Sequence, residues 1–411
     1  MPLIRPFPGL RPLPGNAAEV AAPPYDVLDS NEARERAAGK PWSFLHISKP
    51  EIDLPPGTHP YSPEVYAKGK ENFDRMIEEG VLKQDSGPCY YLYRLIMGGH
   101  QQTGLVAAAS VADYDANRIR KHEFTRPSKE DDRVRQVDTL NAQTGPVFLV
   151  YKHDAAISDL ANKAIAAAPE IDIVADTGVH HSLWKLSDPA QLDLITQIFD
   201  GMDCLYIADG HHRSAAASRV AAARKAANPC HTGEEAYNYF LAVIFPDDQM
   251  QILDYNRVIK DLHGNSPGQF LEKLKNAFTV EEVAAQCKPG SAGEFGMYLD
   301  RQWYRLTIKP DLIPRDPVQS LDVSLLQDNL IGPILGIEDQ RLGERIDFVG
   351  GIRGLNELER RVDSGEMAVA FALHATSMAQ LMAVADAGEV MPPKSTWFEP
   401  KLADGLVSQL L

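Results

Sequence analysis

A chain of 411 residues with 44% hydrophobic content is long enough for two or three domains, each with a real apolar core. Its formal net charge of −16 argues against a protein whose main task is to coat DNA, RNA or an anionic membrane, since those partners select broad basic surfaces. The four cysteines, Cys89, Cys204, Cys230 and Cys287, form no CxxC pair, so neither a disulfide scaffold nor a cysteine zinc site is suggested and a reducing, cytoplasmic setting is expected.

In chain order, residues 1–13 carry prolines and arginines where an export signal needs an uninterrupted apolar run, and no later window reaches membrane-spanning length. The first 90 residues are proline-rich and punctuated, with helical spacing at 34–39 and 63–80. Strands follow at 90–97 and 104–114, joined by Gly98-Gly99-His100 as a hairpin. Next come a helix over 129–143, a strand over 147–151, a helix over 155–168 and strands at 171–175 and 179–186. Asp188 is placed to cap a helix over 189–199. A strand at 205–209 leads into an alanine-rich helix from 214 to 227, and two further strands cover 239–245 and 251–258. Beyond these, strands are predicted at 297–299, 304–308, 346–349 and 366–373, with helices at 323–330 and 377–387. The expected organisation is α/β, mixed α+β: a Pro-rich region at 1–90 packing on a core at 91–260, then a second α/β region at 261–411.

The densest chemistry lies in Asp209-Gly210-His211-His212-Arg213-Ser214. A strand end delivers an acid, a glycine permits a tight turn, and two imidazoles and a guanidinium open a helix. A helix start carries free N–H groups and about half a positive charge, which favours an anion by about 0.3–1 kcal/mol. Gly210 lets the backbone approach closely, His211, Arg213 and Ser214 supply donors, and Asp209 is suited to hold a magnesium ion bridging phosphate oxygens. A capped strand-to-helix turn is the plainer alternative.

A second cluster spans Arg118 to Arg135, where seven Lys/Arg face four Asp/Glu, a local surplus of three positive charges in an acidic chain. Thr125, Arg126, Lys129 and Arg133 are its candidate phosphate contacts, and His122 and Glu123 open it. The residue four after His122 is Arg126, so this is not an HExxH zinc-protease motif. Lys394-Ser395-Thr396 lacks the glycine spacing of a phosphate loop, yet its segment is suited to close over a pocket, as is Asp26 in Pro23-Pro24-Tyr25-Asp26. His180-His181 lies in a predicted strand, whose alternation sends the two rings to opposite faces.

Taken together, His122-Glu123-x-Thr125, Asp209–Arg213, Pro23-Pro24-Tyr25-Asp26-Val27 and the 391–402 tail resemble the family DUF1015 over nearly the whole chain. More distantly, Gly210-x-x-Arg213 after a strand resembles the ParB/sulfiredoxin-like nucleotide-binding fold. Within that fold, an upstream His-Glu pair with Asp-Gly-x-His-Arg resembles the free-serine kinases. This resemblance implies a role for Glu123 only, as general base on a serine hydroxyl; from the residues themselves Asp209 and His212 are expected to be catalytic as well, with Mg²⁺ and ATP or ADP as cofactors.

The leading expectation is therefore a nucleotide-dependent phosphotransferase acting on a small hydroxyl metabolite, L-serine first among them. Two readings from other classes stay open: a ParB-like nucleotide-binding regulatory module, and a metal-dependent hydrolase built on Asp209, His211 and His212. Expected partners are a nucleotide and a small molecule, with no nucleic acid and no membrane.

Overall fold

The computed structural model describes residues 1–340 and 344–411. They form two compact units, Met1–Met250 with Pro400–Leu411, and Gln251–Glu399.

The first unit is built on a nine-stranded mixed sheet. Its path runs Ile119–Arg120, Leu205–Asp209, Val147–Tyr151, Tyr239–Pro246, His100–Ser110, Tyr90–Met97, His180–Leu186 and Ile171–Val174, with Ile4–Arg5 also paired to His100–Ser110. Two pairings are parallel, Leu205–Asp209 with Ile119–Arg120 and Tyr239–Pro246 with Val147–Tyr151. The centre is occupied by the most apolar segment: Tyr239–Pro246 is buried at all eight positions, as expected for a strand covered on both faces. Leu92, Leu149, Ile207, Phe240 and Ile244 form the heart of this core. The hairpin is present with Met97 opposite His100, and Gly98 takes the positive φ of 58° that its tight turn requires. Its second strand stops at Ser110 rather than 114, because the Ser110 side chain accepts from the Asp113 N–H and caps a short helix, Val111–Asp115.

The boundaries expected at 90 and 260 are not where the chain divides. Phe44, Phe73 and Met76 from the Pro-rich start share a core with Leu140 and Ala142, and Tyr66 donates to Asp132 at 2.8 Å, which joins residues 1–90 to the same unit as the main sheet. At the other end, Ser408 and Leu10 exchange backbone hydrogen bonds of 2.7 and 2.8 Å, and Gln409 pairs with Gln143. The last twelve residues thus return to the first unit, and 251–399 is an insert within its chain path.

The second unit holds a six-stranded antiparallel sheet in the order Phe278–Val283, Gln302–Ile308, Glu294–Leu299, Val369–Leu373, Tyr255–Ile259, Ile346–Gly350. The strand expected over 251–258 is broken at Asp254, and that expected from 366 begins at Val369. The helix expected over 323–330 is an α-turn, Asp322–Leu326, widening into a π-turn, Gln327–Ile331, before Gly332-Pro333 ends it. Helix Leu355–Asp363, absent from the expected elements, packs Leu358 into the core with Leu355 and Val362 beside it. Among the described residues no helix is long and apolar enough to cross a membrane, and all four cysteines are free.

Candidate functional site

Leu205–Asp209 ends at the sheet rim, and Gly210 turns the chain with φ +100° directly into helix His211–Ala227. The helix begins three residues earlier than its alanine run suggested, so both histidines and Arg213 belong to its first turn. A side chain at Gly210 is excluded twice over: its φ disfavours any Cβ, and a Cβ there would meet Arg213 Nε at 3.1 Å and Val147 Cα at 3.3 Å.

The basic segment supplies a second helix start beside the first. Helix Pro127–Leu140 packs along helix His211–Ala227, and the backbone N–H of Arg126, the residue before it, donates to His212 Nε2 at 3.0 Å. His212 is thereby held neutral, its pKa lowered by burial and by Arg126 and Lys129 against the pull of Glu130 and Asp26. Two N-terminal helix ends lie side by side, neither with a side-chain cap, so the positive ends of both helix dipoles face the same region.

Around them the structure gathers charge from distant parts of the chain. Arg213 is 9% exposed; its Nη2 lies 3.7 Å from Asp209 Oδ1 and 4.0 Å from Asp26 Oδ2, and its Nη1 donates to the Pro146 carbonyl. Lys401, from the returning C-terminal segment, places Nζ 3.3 Å from Asp209 Oδ2. Burial opposes ionisation of Asp209, but Lys401 and Arg213 overrule it and hold its carboxyl well below the usual carboxylate range. Behind Arg213 a small cavity with room for about two waters is lined by Tyr25, Arg133, Gln136, Thr144, Arg213 and Asp404. Arg133 stacks on the Tyr25 ring at 3.8 Å and pairs with Asp132 at 2.6 Å. Burial pushes the Tyr25 hydroxyl up to about 12 and the Asp404 carboxyl up to about 7, the latter against the opposing field of Arg213.

His122, Glu123 and His211 form a further group. The two imidazoles meet edge to face at 4.5 Å, His122 N–H points to His211 Nε2 at 3.4 Å, and His211 Nδ1 lies 3.6 Å from Glu123 Oε2. Both rings are buried, which pulls the His122 pKa down to about 4 and that of His211 well below its ordinary value. Glu123 is half-exposed at the rim.

The predicted site residues therefore separate. Asp26, Glu123, Asp209, Gly210, His211, His212, Arg213 and Arg133 gather around the Gly210 turn, with His122 behind them. Ser214 is fully buried and donates to the His211 carbonyl at 3.0 Å, so its hydroxyl faces the helix rather than the turn. Thr125 donates to Glu130, and Lys129 donates to Tyr61 at 2.6 Å. Lys394, Ser395 and Thr396 belong to the second unit. There Lys394 lies over Tyr255 at 5.5 Å, Ser395 donates to Pro392 at 2.6 Å, and Thr376 donates to the Ser395 carbonyl at 2.9 Å. Sequence reasoning missed Asp404, which carries no local motif, and took Tyr25 and Lys401 only as parts of the motifs that hold them.

A family model described as a protein of unknown function, DUF1015, matches residues 4–324. The chain is a DUF1015 protein. The match includes Tyr25, Glu123 and the Asp209–Arg213 turn, while Lys401 and Asp404 of this DUF1015 chain lie beyond it. Among curated proteins no match is found. Similar solved structures include free serine kinase in complex with AMP, at 14% identity over 74% of this chain and 92% of that one, with a TM-score of 0.35. A conserved hypothetical protein from Pyrococcus furiosus has 16% identity over 75% and 95%, TM-score 0.34. SbnI with a C-terminal truncation, from Staphylococcus aureus, has 11% identity over 74% and 86%, TM-score 0.38.

Proposed function

We propose that this DUF1015 protein is a nucleotide-dependent phosphotransferase acting on a small hydroxyl metabolite, with L-serine the acceptor implied by the motif resemblance. The observation that carries the reading is the pairing of two helix starts at Gly210 and Arg126 with Arg213 and Lys401 beside them and a half-exposed carboxylate, Glu123, at the rim. Phosphoryl transfer needs little covalent chemistry from a protein; it needs anion positioning and charge stabilisation, which these groups supply.

In this reading the nucleotide phosphates lie over the first turn of His211–Ala227, with backbone N–H groups and Lys401 neutralising them. Arg213, buried behind the turn, keeps the local potential positive. Asp209 is held ionised by Lys401 and Arg213 and offers the hard oxygen that Mg²⁺ takes; when bound, the ion supplies charge neutralisation on the phosphates. The acceptor oxygen forms a bond to the terminal phosphorus as the bond to the bridging oxygen breaks. The hydroxyl proton passes to Glu123, and the nucleotide leaves one phosphate shorter.

The test is phosphoserine formation from serine with ATP or ADP and Mg²⁺. Glu123→Gln is expected to keep nucleotide affinity and lose about 10²–10⁴-fold in turnover. Unchanged turnover removes Glu123 from the base role, and absence of phosphorylated product with any hydroxyl amino acid overturns the reading.

A further inference from the structure

We propose that His122, Glu123 and His211 form a binding site for a divalent transition-metal ion, taking zinc as the reference ion, with two imidazole nitrogens and one carboxylate oxygen as ligands. One ligand atom from each residue lies within 4.8 Å of the other two. Ligand bonds of about 2.0–2.2 Å in a tetrahedral site put neighbouring donor atoms roughly 3.3 Å apart, and His211 Nδ1 and Glu123 Oε2 are already 3.6 Å apart.

The second, independent observation is the state of His122. Its ring is 2% exposed, and its Nδ1 is buried with no hydrogen-bond partner. The ring is also hydrogen-bonded to the Ile207 backbone. With Nδ1 unpartnered, that bond falls to Nε2–H and the Ile207 carbonyl, which fixes the tautomer and leaves a buried Nδ1 lone pair available to a ligand. A backbone carbonyl on the far nitrogen is the usual outer-shell support of a metal-bound histidine, whereas a buried lone pair without a partner is costly.

His211 can join with a small change. In the metal-free protein its Nδ1–H faces Glu123 and its Nε2 takes the His122 N–H at 3.4 Å, the long limit for such a bond. Binding through Nδ1 moves the proton to Nε2 and gives up that one weak contact. Glu123 at the rim gives the entry path, and two nitrogens with one oxygen leave at least one position for water.

This site differs from the Asp209, His211, His212 set expected of a hydrolase: His212 Nε2 is committed to the Arg126 N–H, and Asp209 is not among the three residues whose ligand atoms converge. The site shares Glu123 with the phosphotransfer reading, where that carboxylate accepts the proton; binding of the ion is measured without nucleotide, so its failure is distinguishable from failure of that reading.

The experiment is equilibrium dialysis and visible spectroscopy of the full chain with Co²⁺ alone. Expected are one ion per chain and a ligand-field band of a nitrogen/oxygen site. His122→Asn and Glu123→Gln should each weaken binding by roughly tenfold or more. His180→Gln, whose ring pairs with Asp172 on the other side of the sheet, should not change it. Far-ultraviolet dichroism establishes folding of the variants; Glu123→Gln changes a half-exposed side chain and keeps the test sharp if His122→Asn fails to fold. No stoichiometric ion in the wild type, or a band unchanged in Glu123→Gln, overturns the proposal.

Discussion

Lys401 Nζ lies 3.3 Å from Asp209 Oδ2 across 192 positions of sequence, and this contact ties the returning C-terminal segment to the end of the strand that opens the site. The ammonium stands beside the helix start where an anion is favoured. Lys401→Met should raise the dissociation constant for ADP by about tenfold, equivalent to about 1.4 kcal/mol, and Lys401→Arg should restore most of it. Titration calorimetry measures both; an unaltered constant in Lys401→Met removes Lys401 from the phosphate cradle.

Gly210→Ala places a methyl group against Arg213 and Val147 at a φ of +100°. A loss of about 1–3 kcal/mol of stability is expected from the strain, together with weaker nucleotide binding because Arg213 must move. Denaturant unfolding gives the first quantity and a nucleotide thermal shift the second. A variant as stable as the wild type contradicts the turn geometry.

For Arg213 the sequence alone suggested a simple phosphate donor, so that Arg213→Ala would affect binding. Its burial, its bond to the Pro146 carbonyl and its proximity to Asp209 and Asp26 make it a structural cation as well. Arg213→Ala should cost about 3 kcal/mol of stability, since it empties a buried position and leaves the Pro146 carbonyl and the partly buried Asp209 without their guanidinium partner. Urea denaturation decides this: a binding defect with unchanged midpoint would make the role purely one of ligand contact.

Asp404 provides a pH signature. Its carboxyl is pushed up to about 7 by burial, from an ordinary value of 3.8. Between those values the folded protein binds more protons than the unfolded chain, so this group's contribution to stability falls as pH rises and the loss is complete above about pH 7. Asp404→Asn should therefore equal the wild type near pH 4 and exceed it near pH 8 by on the order of 2–4 kcal/mol. Unfolding curves at the two pH values test it, and an equal gain at both would assign the effect to something other than titration.

Much of the secondary structure was legible because local rules and tertiary packing agree. The Tyr239–Pro246 segment is apolar throughout and proves to be a central strand, and Asp188 caps its helix by accepting from the Gln191 N–H. The Gly210 turn was legible too, since an acid, a glycine and an arginine within five positions suit a strand end, a tight turn and a helix start. Helix Leu355–Asp363 was legible too and was passed over: Leu355, Leu358 and Val362 stand at helical spacing and face one core.

By itself the sequence determined the α/β class, the strand–glycine–helix turn and the presence of a basic island in an acidic chain, because these depend on neighbours a few residues apart. Only the tertiary structure decided which charges meet. Asp209 is paired by Lys401, Asp404 enters the cavity behind Arg213, and the 251–399 insert is bypassed when the chain returns to its first unit. His122 and His211, 89 positions apart, become an edge-to-face pair only because the parallel pairing of Ile119–Arg120 with Leu205–Asp209 sets their two segments side by side. Sheet register and chain return are long-range choices of packing, and no local spacing encodes them.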